Sequence, residues 1–431
     1  MGCAEFCPEN TRMMDILNQE NTNPNVLTKY LEKKNKAFAE SRSAANDSTM
    51  ANRRAKIEFY NSVNSTMNNF SISAKKKFSI LLKLMKNNKF SPTPPLFENG
   101  ETINEPKQKS EIFNSFFASK STVQGADDDP PNLQKLIGVP NLDELNTSPL
   151  EVGKFIRGLK KSHSSHCGIS GHFLQLISNQ ISHSLSKLFN NLFEIGHFPD
   201  NWKLAHISAI YKRSGPKNSK SSFRPISILP TLSKVCESII HNRLLSHCIE
   251  HNIISDRQAA YLKGDSTISQ LVYIVHYIRS CWGKSQIAQG VFLDISAAFD
   301  KVWHRGLISK LSQIGVDGTF LNLFTSYLSN RKQCVIVDGV KSSLQNVNAG
   351  VPQGSRLGPL LFIIYINDIV KDIDSEIMIF ADDTTLLASG KDPAETSSQL
   401  NRDLDKISNW AQTWKVTFNA GKSKDMIFSN K

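Results

Sequence analysis

The chain has 431 residues, 39% of them apolar and 21% charged, and a formal net charge of +12. That is long enough for two or three domains with a substantial core, and ordinary for a soluble globular protein. No apolar stretch reaches the ~18 residues that suggest a membrane span, and seven scattered cysteines without zinc-type spacing argue against a disulfide framework or a zinc cluster.

Residues 1–28 are polar and Asn-rich and are expected to be weakly ordered. The start, "MGCAEF", lacks the Ser or Thr that N-myristoylation needs where Phe6 stands. Between Lys29 and Phe90 fourteen Lys/Arg stand against four Asp/Glu, which places ten of the twelve excess charges there. The pattern in this stretch is helical to about Asn88, with Leu81, Leu82, Leu84 and Met85 on one apolar face. Such a charge run is by default a solvated helix face; the sharper reading is a phosphate-binding surface. "FSPTPPLFENGE" breaks the helix, because closely spaced prolines remove donors. A second helix carries Ile112, Phe113, Phe116 and Phe117, and "GADDDPPN" at 125–132 reads as a linker.

Helices are expected around Leu150–Lys160 and His172–Gly196, followed by a Phe198–Trp202 turn and the strand "AHISAIYK". "SGPKNSKSS" is a polar loop and "FRPISIL" a short segment. A long helix covers Leu232 to Glu250, and another runs through "STISQLVYIVHYIRSCW". "GVFLDISAAF" is β-rich, and "QCVIVDGVKSSLQNVN" reads as a hairpin turning at Asp338-Gly339. "GVPQGSRLGPLLFIIYINDI" is a glycine-rich loop opening a helix, and "IMIFADDTTLLA" suggests a hairpin around adjacent acids.

Those acids, Asp382 and Asp383, repel each other. Exposed turn residues would not need such apolar flanks, and Asp294 ends another apolar run in the same way. Three carboxylates delivered from neighbouring strand ends suit a hard divalent cation such as Mg²⁺. Two such ions can activate a hydroxyl and stabilise the leaving oxygen of a phosphoryl displacement.

"FLDISAAFDKVWH", "GVPQGSRLGPLLFIIYINDI" and "FADD" resemble, in order and spacing, three core motifs of reverse transcriptases. "FPDNWKLAHISAIYK", "FRPISILPTLSKVCESIIHNRL" and "FNAGKSKDMIF" fit the same family, of the non-LTR, Jockey-like or LINE-like kind. The resemblance implies an α+β fold: a right-hand polymerase palm and fingers with a small antiparallel sheet, after a mainly helical N-terminal extension. It implies a basic extension over 29–130, a helical region over 131–204 and a reverse transcriptase domain over 205–431. Within that domain the fingers run to about 285 and the palm from about 286. The thumb is expected to be missing, since the chain stops at Lys431 where a primer-gripping hairpin should begin.

The resemblance also assigns roles. Asp294, Asp382 and Asp383 would hold two Mg²⁺ ions, with Mn²⁺ as the alternative and the Ile295 carbonyl as an extra ligand. Phe299 falls at the steric-gate position that crowds a ribose 2′-OH. Gln353 and Gly354 would lie beside the incoming nucleotide, Arg224 would contact the triphosphate or the template, and Lys422 would sit near the triphosphate as a proton donor. The partners implied are an RNA template, a DNA primer and dNTPs, with no membrane and an intracellular setting, nucleus or cytoplasm. One departure is "AAYLKGDST", where Leu262 and Asp265 replace usually basic residues. The expected activity is RNA-directed DNA polymerisation; the alternative is a catalytically incompetent, truncated remnant that only binds nucleic acid.

Overall fold

The computed structural model describes residues 93–160, 168–262 and 264–430, all within the compact unit Thr93–Lys431. The expectations for residues 1–28 and for the basic stretch up to Asn88, Lys75, Lys76 and Lys77 included, lie outside the described residues.

The architecture is α+β. A short hairpin, β1 (Leu96–Glu98) and β2 (Glu101–Ile103), leads to helix α1 (Pro106–Lys120), which begins with proline at its first turn. The predicted aromatic face of α1 is real. Phe113 and Phe117 are fully buried with Ala205, Ile207, Phe223, Val335 and Val337, and the Phe113 ring meets Phe223 edge-on at 5.0 Å. Burying one such ring removes enough apolar surface to contribute about 2–3 kcal/mol. The sheet under α1 is made of β3 (Leu204–Tyr211), β4 (Phe223–Ile228), β6 (Arg331–Val337), β7 (Val340–Lys341) and β8 (Gln345–Val347). Its order is β4-β3-β6-β7, with β8 also paired to β6, and β3 runs parallel to β6. The Asp338-Gly339 turn joins β6 to β7 as expected, both residues having positive φ.

Between α1 and β3 stand α2 (Pro149–Arg157), α3 (Gly171–Leu176), α4 (Ser178–Glu194) and the single turn α5 (Asp200–Lys203). The one helix expected over His172–Gly196 is two, because the backbone leaves helical geometry at Ile177. Ser148 and Ser170 cap α2 and α3 by accepting from the amides of Glu151 and Phe173. The long helix α6 (Thr231–Glu250) and α7 (Thr267–Gly283) follow as predicted.

The second sheet has the order β11-β5-β10-β9, wholly antiparallel. Its strands are β5 (Ile287–Asp294), β9 (Glu376–Phe380), β10 (Asp383–Gly390) and β11 (Lys424–Phe428). Helices α8 (His304–Gln313), α9 (Gly318–Leu328), α10 (Gly358–Ile366) and α11 (Pro393–Thr413) complete the fold. Helix α11 starts at a cap that sequence patterning passed over: Asp392 accepts from the Glu395 amide, while Glu395 accepts from the Lys391 amide. Among the described residues no helix is long and apolar enough to cross a membrane.

Candidate active site

β5 ends at Asp294 and β10 begins at Asp383, and the antiparallel register sets the two directly opposite each other. Asp383 also faces Phe380 across the β9–β10 hairpin, so Ala381 and Asp382 alone form the loop between the strands. Ala381 holds φ at +55°, a region costly for a residue with a Cβ. Its amide donates to Gln258 Oε1 at 3.1 Å, which helps hold the turn in that conformation. Ala297, three residues after Asp294, also has positive φ.

A turn from the end of the chain reaches the same place. The Asn419 amide donates to the Asp294 carbonyl at 2.7 Å, and the Ser296 amide to the Thr417 carbonyl at 2.8 Å. These bonds flank a bridge between Ile295 and Phe418, with Ile295 itself buried. Lys422 then points its ammonium at the Asp294 carboxylate, 3.1 and 3.0 Å from its two oxygens. Burial pushes the carboxyls of Asp382 and Asp383 above their ordinary range; Asp294 adds repulsion at both, and Asp383 adds more at Asp382. Lys422 opposes that rise at both. Among the described residues no three acidic, His or Cys side chains close tightly enough to cage an ion by themselves. The arrangement fits an ion completed by a ligand's own oxygens, and the Lys422 ammonium already occupies a cation's place against Asp294.

The glycine-rich loop lies against the stretch that follows Asp294. Gln353 donates from Nε2 to Asp300 Oδ1 at 2.8 Å, and its carbonyl accepts from the Ser227 amide of β4 at 2.7 Å. Burial raises the Asp300 carboxyl, against the Gln353 bond and the charges of Lys120 and Lys212. Glycine at 350 and 354 lets the loop pack closely on the protein's own backbone. A Cβ at Gly350 would meet the Phe299 and Asp300 carbonyls at 2.6 Å, and one at Gly354 the Ser227 carbonyl at 2.7 Å. The Phe299 ring is half-buried, stacked on Phe362 at 4.9 Å and edge-on to Tyr261 at 6.4 Å. Arg224 is exposed on β4 opposite Ile210. It lies close enough to Lys212 to lower that ammonium's pKa, after burial and Lys422.

The structure thus brings Asp294, Asp383 and Lys422 into one cluster, with Asp382 in the adjoining turn. It joins Gln353 to Asp300, just past Phe299, and leaves Arg224 beside Lys212 on the neighbouring sheet. Four residues here escaped sequence reasoning as site members: Asp300, Tyr261, Lys212 and Lys120. Asp300 carried a signal, since it closes the same "FLDISAAFD" run that holds Asp294.

Residues 215–429 match the reverse transcriptase (RNA-dependent DNA polymerase) family, a span that contains all three aspartates. The chain carries a reverse transcriptase domain. Among curated proteins it is similar to RNA-directed DNA polymerases of mobile elements. It is 36% identical over 266 residues to the RNA-directed DNA polymerase from mobile element jockey of Drosophila melanogaster, covering 60% of this chain and 29% of that one. The probable RNA-directed DNA polymerase from transposon X-element of the same species is 33% identical over 289 residues, 66% of this chain and 32% of that one. The jockey polymerase of Drosophila funebris is 33% identical over 265 residues, covering 60% and 29%. The chain therefore spans about a third or less of the length of these relatives.

Proposed function

We propose that this chain extends a primer 3′-OH with dNTPs on an RNA template, releasing pyrophosphate. The observation that carries the reading is the register that sets Asp383 opposite Asp294 at adjacent strand ends, with Asp382 in the turn between β9 and β10. Asp294, Asp382 and Asp383 would hold the Mg²⁺ ions, or Mn²⁺ in their place, the Ile295 carbonyl being a further oxygen. Bound there, the metals would supply activation of the attacking hydroxyl and neutralisation of charge on the leaving oxygen. The rest falls to the chain's own groups. The β-sheet keeps the carboxylates in fixed register, and Lys422 lies where it can exchange Asp294 for a phosphate oxygen and give a proton to the leaving pyrophosphate. Gln353 and Gly354, on a loop braced against β4, would line the base and sugar of the incoming nucleotide, and Phe299 would crowd its 2′ position. Arg224 would meet template or triphosphate. We assign the fingers to about 205–285 and the palm to about 286–431, and an intracellular setting goes with these substrates.

The test is primer extension on poly(rA)/oligo(dT) with Mg²⁺, set beside thermal melting. Wild type should incorporate dTTP, and Asp382→Ala should lose at least about a hundredfold, as expected when a main charge-stabilising element is removed. Mg²⁺ at ten times its dissociation constant should stabilise wild type by about 1.4 kcal/mol and leave Asp382→Ala unmoved. Equal incorporation by the two proteins would sink the reading. Salt-sensitive RNA binding without incorporation would replace it with that of a nucleic-acid-binding protein.

A further inference from the structure

From Ser266 to Ile278 the sequence holds no Asp, Glu, Lys or Arg, although most of helix α7 lies at the surface. Its inner side is fixed to the second sheet. Ile278 and Cys281 pack on Ala288, with Ile274, Tyr277 and Phe428 around them. Gln270 donates to the Ile379 carbonyl of β9 at 2.7 Å, and the Tyr273 hydroxyl to Glu376 at 2.9 Å. The outer side is an apolar stripe of Ile268, Leu271, Val272 and Val275, each 50–70% exposed. That spacing is the one by which an amphipathic helix meets a core, yet here it faces outward. A contiguous apolar patch on an anchored helix, with no charge inside it, marks a contact surface.

The stripe's symmetry and its charged ends specify what covers it. Read backwards, positions 268, 271, 272 and 275 keep the same spacing. Two copies running antiparallel about a two-fold axis therefore match: Leu271 of one meets Val272 of the other, and Ile268 meets Val275. Asp265, just before the Ser266 cap, and Arg279 each stand seven residues from Val272, about two turns. Both are exposed, and neither has an ion pair among the described residues. In the antiparallel arrangement each Asp265 comes beside the other copy's Arg279, whereas a parallel one would set like charges together. We propose that α7 is a homodimer contact, pairing antiparallel with α7 of a second copy through this stripe. Such an isologous contact closes on itself, so it yields dimers and no longer chains. A few side chains per copy make less than a standard interface, which sets the Kd on the order of micromolar.

The test is sedimentation velocity of the nuclease-treated full chain, from about 1 to about 100 µM. Wild type should pass from monomer to dimer across that range. Leu271→Asp should weaken association at least about a hundredfold, since a symmetric pair loses the contact twice. Asp265→Arg and Arg279→Asp should each weaken it about tenfold, and the double exchange should return to within about threefold of wild type. Wild type that stays monomeric overturns the proposal. So does a dimer indifferent to Leu271→Asp, a dimer seen only before nuclease treatment, or a double exchange no better than the single ones. Thermal melting at a monomeric concentration should give Leu271→Asp the wild-type midpoint; a clearly lower one would show the stripe covered by its own chain and also overturns the proposal.

Discussion

Gly350→Ala probes the joint that holds the glycine-rich loop against the stretch after Asp294. The residue sits at φ +85°, and its missing Cβ would lie 2.6 Å from two backbone carbonyl oxygens, those of Phe299 and Asp300. The left-handed conformation costs an L-residue about 1–2 kcal/mol. Rigid carbonyls cannot rotate away as a side chain would, so the segments must part. Parting stretches the bonds from the Gly350 amide to the Val302 carbonyl (2.8 Å) and from the Val351 amide to the Phe299 carbonyl (2.7 Å). Each is worth about 1 kcal/mol net, so the substitution should cost about 3–4 kcal/mol in all. Gly339→Ala is the control: φ is +84°, but nothing lies within 4 Å of the added atom. It should cost only the strain, about 1–2 kcal/mol. Urea unfolding measures both, and with a slope of ~3 kcal/mol/M the Gly350 midpoint should fall by about 1 M. Equal midpoints for the two variants would refute the reasoning, because the carbonyl contacts would then carry no energy.

Two further outcomes follow from buried charges. Lys310 is 3% exposed, bonded to Asp368 and to the Tyr365 carbonyl at 2.5 Å each and held 3.8 Å above the Trp414 ring. Burial lowers its pKa from 10.5 to about 8, so the unfolded chain binds the extra proton between those values. Wild type should therefore gain stability relative to Lys310→Met as pH rises through that window, by roughly 2–3 kcal/mol, with no relative change below about pH 7; a flat difference in urea midpoints from pH 7 to 10.5 would count against it. Glu237, fully buried on α6, accepts from the Arg356 amide at 2.7 Å, the Leu357 amide at 3.4 Å and the Ser233 hydroxyl at 2.9 Å. Glu237→Ala strands the Arg356 and Leu357 amides at the start of α10 and the Ser233 hydroxyl on α6, and should cost about 3 kcal/mol, and Glu237→Gln clearly less; chemical denaturation that ranks the two alike would show that the carboxylate is not holding the loop.

Local pattern made much of this chain legible. Apolar runs flanking Asp382 and Asp383 predicted the β9–β10 hairpin, Asp338-Gly339 predicted the β6–β7 turn, and the spacing of Phe113, Phe116 and Phe117 predicted α1. Other elements were missed for definable reasons. Helix α11 was hidden behind mixed polarity, although its Asp-Pro-x-Glu start is a cap signature. Strand β8 lies within the expected second arm of the β6 hairpin, but that arm is broken into β7 and β8. The three aspartates were grouped by their shared apolar flanks and by resemblance to known motifs, but the register that sets Asp383 opposite Asp294 could not be read from either segment.

The sequence by itself determined most of the strands and helices and which acids stand at strand ends, because those depend on short-range periodicity and turn chemistry. Tertiary structure alone decided that Asp383 faces Asp294, that Lys422 returns to pair with it, and that Gln353 is tied to Asp300. Strand register and helix docking are set by which faces exclude water across long chain separations. A residue's neighbours in sequence do not record that choice.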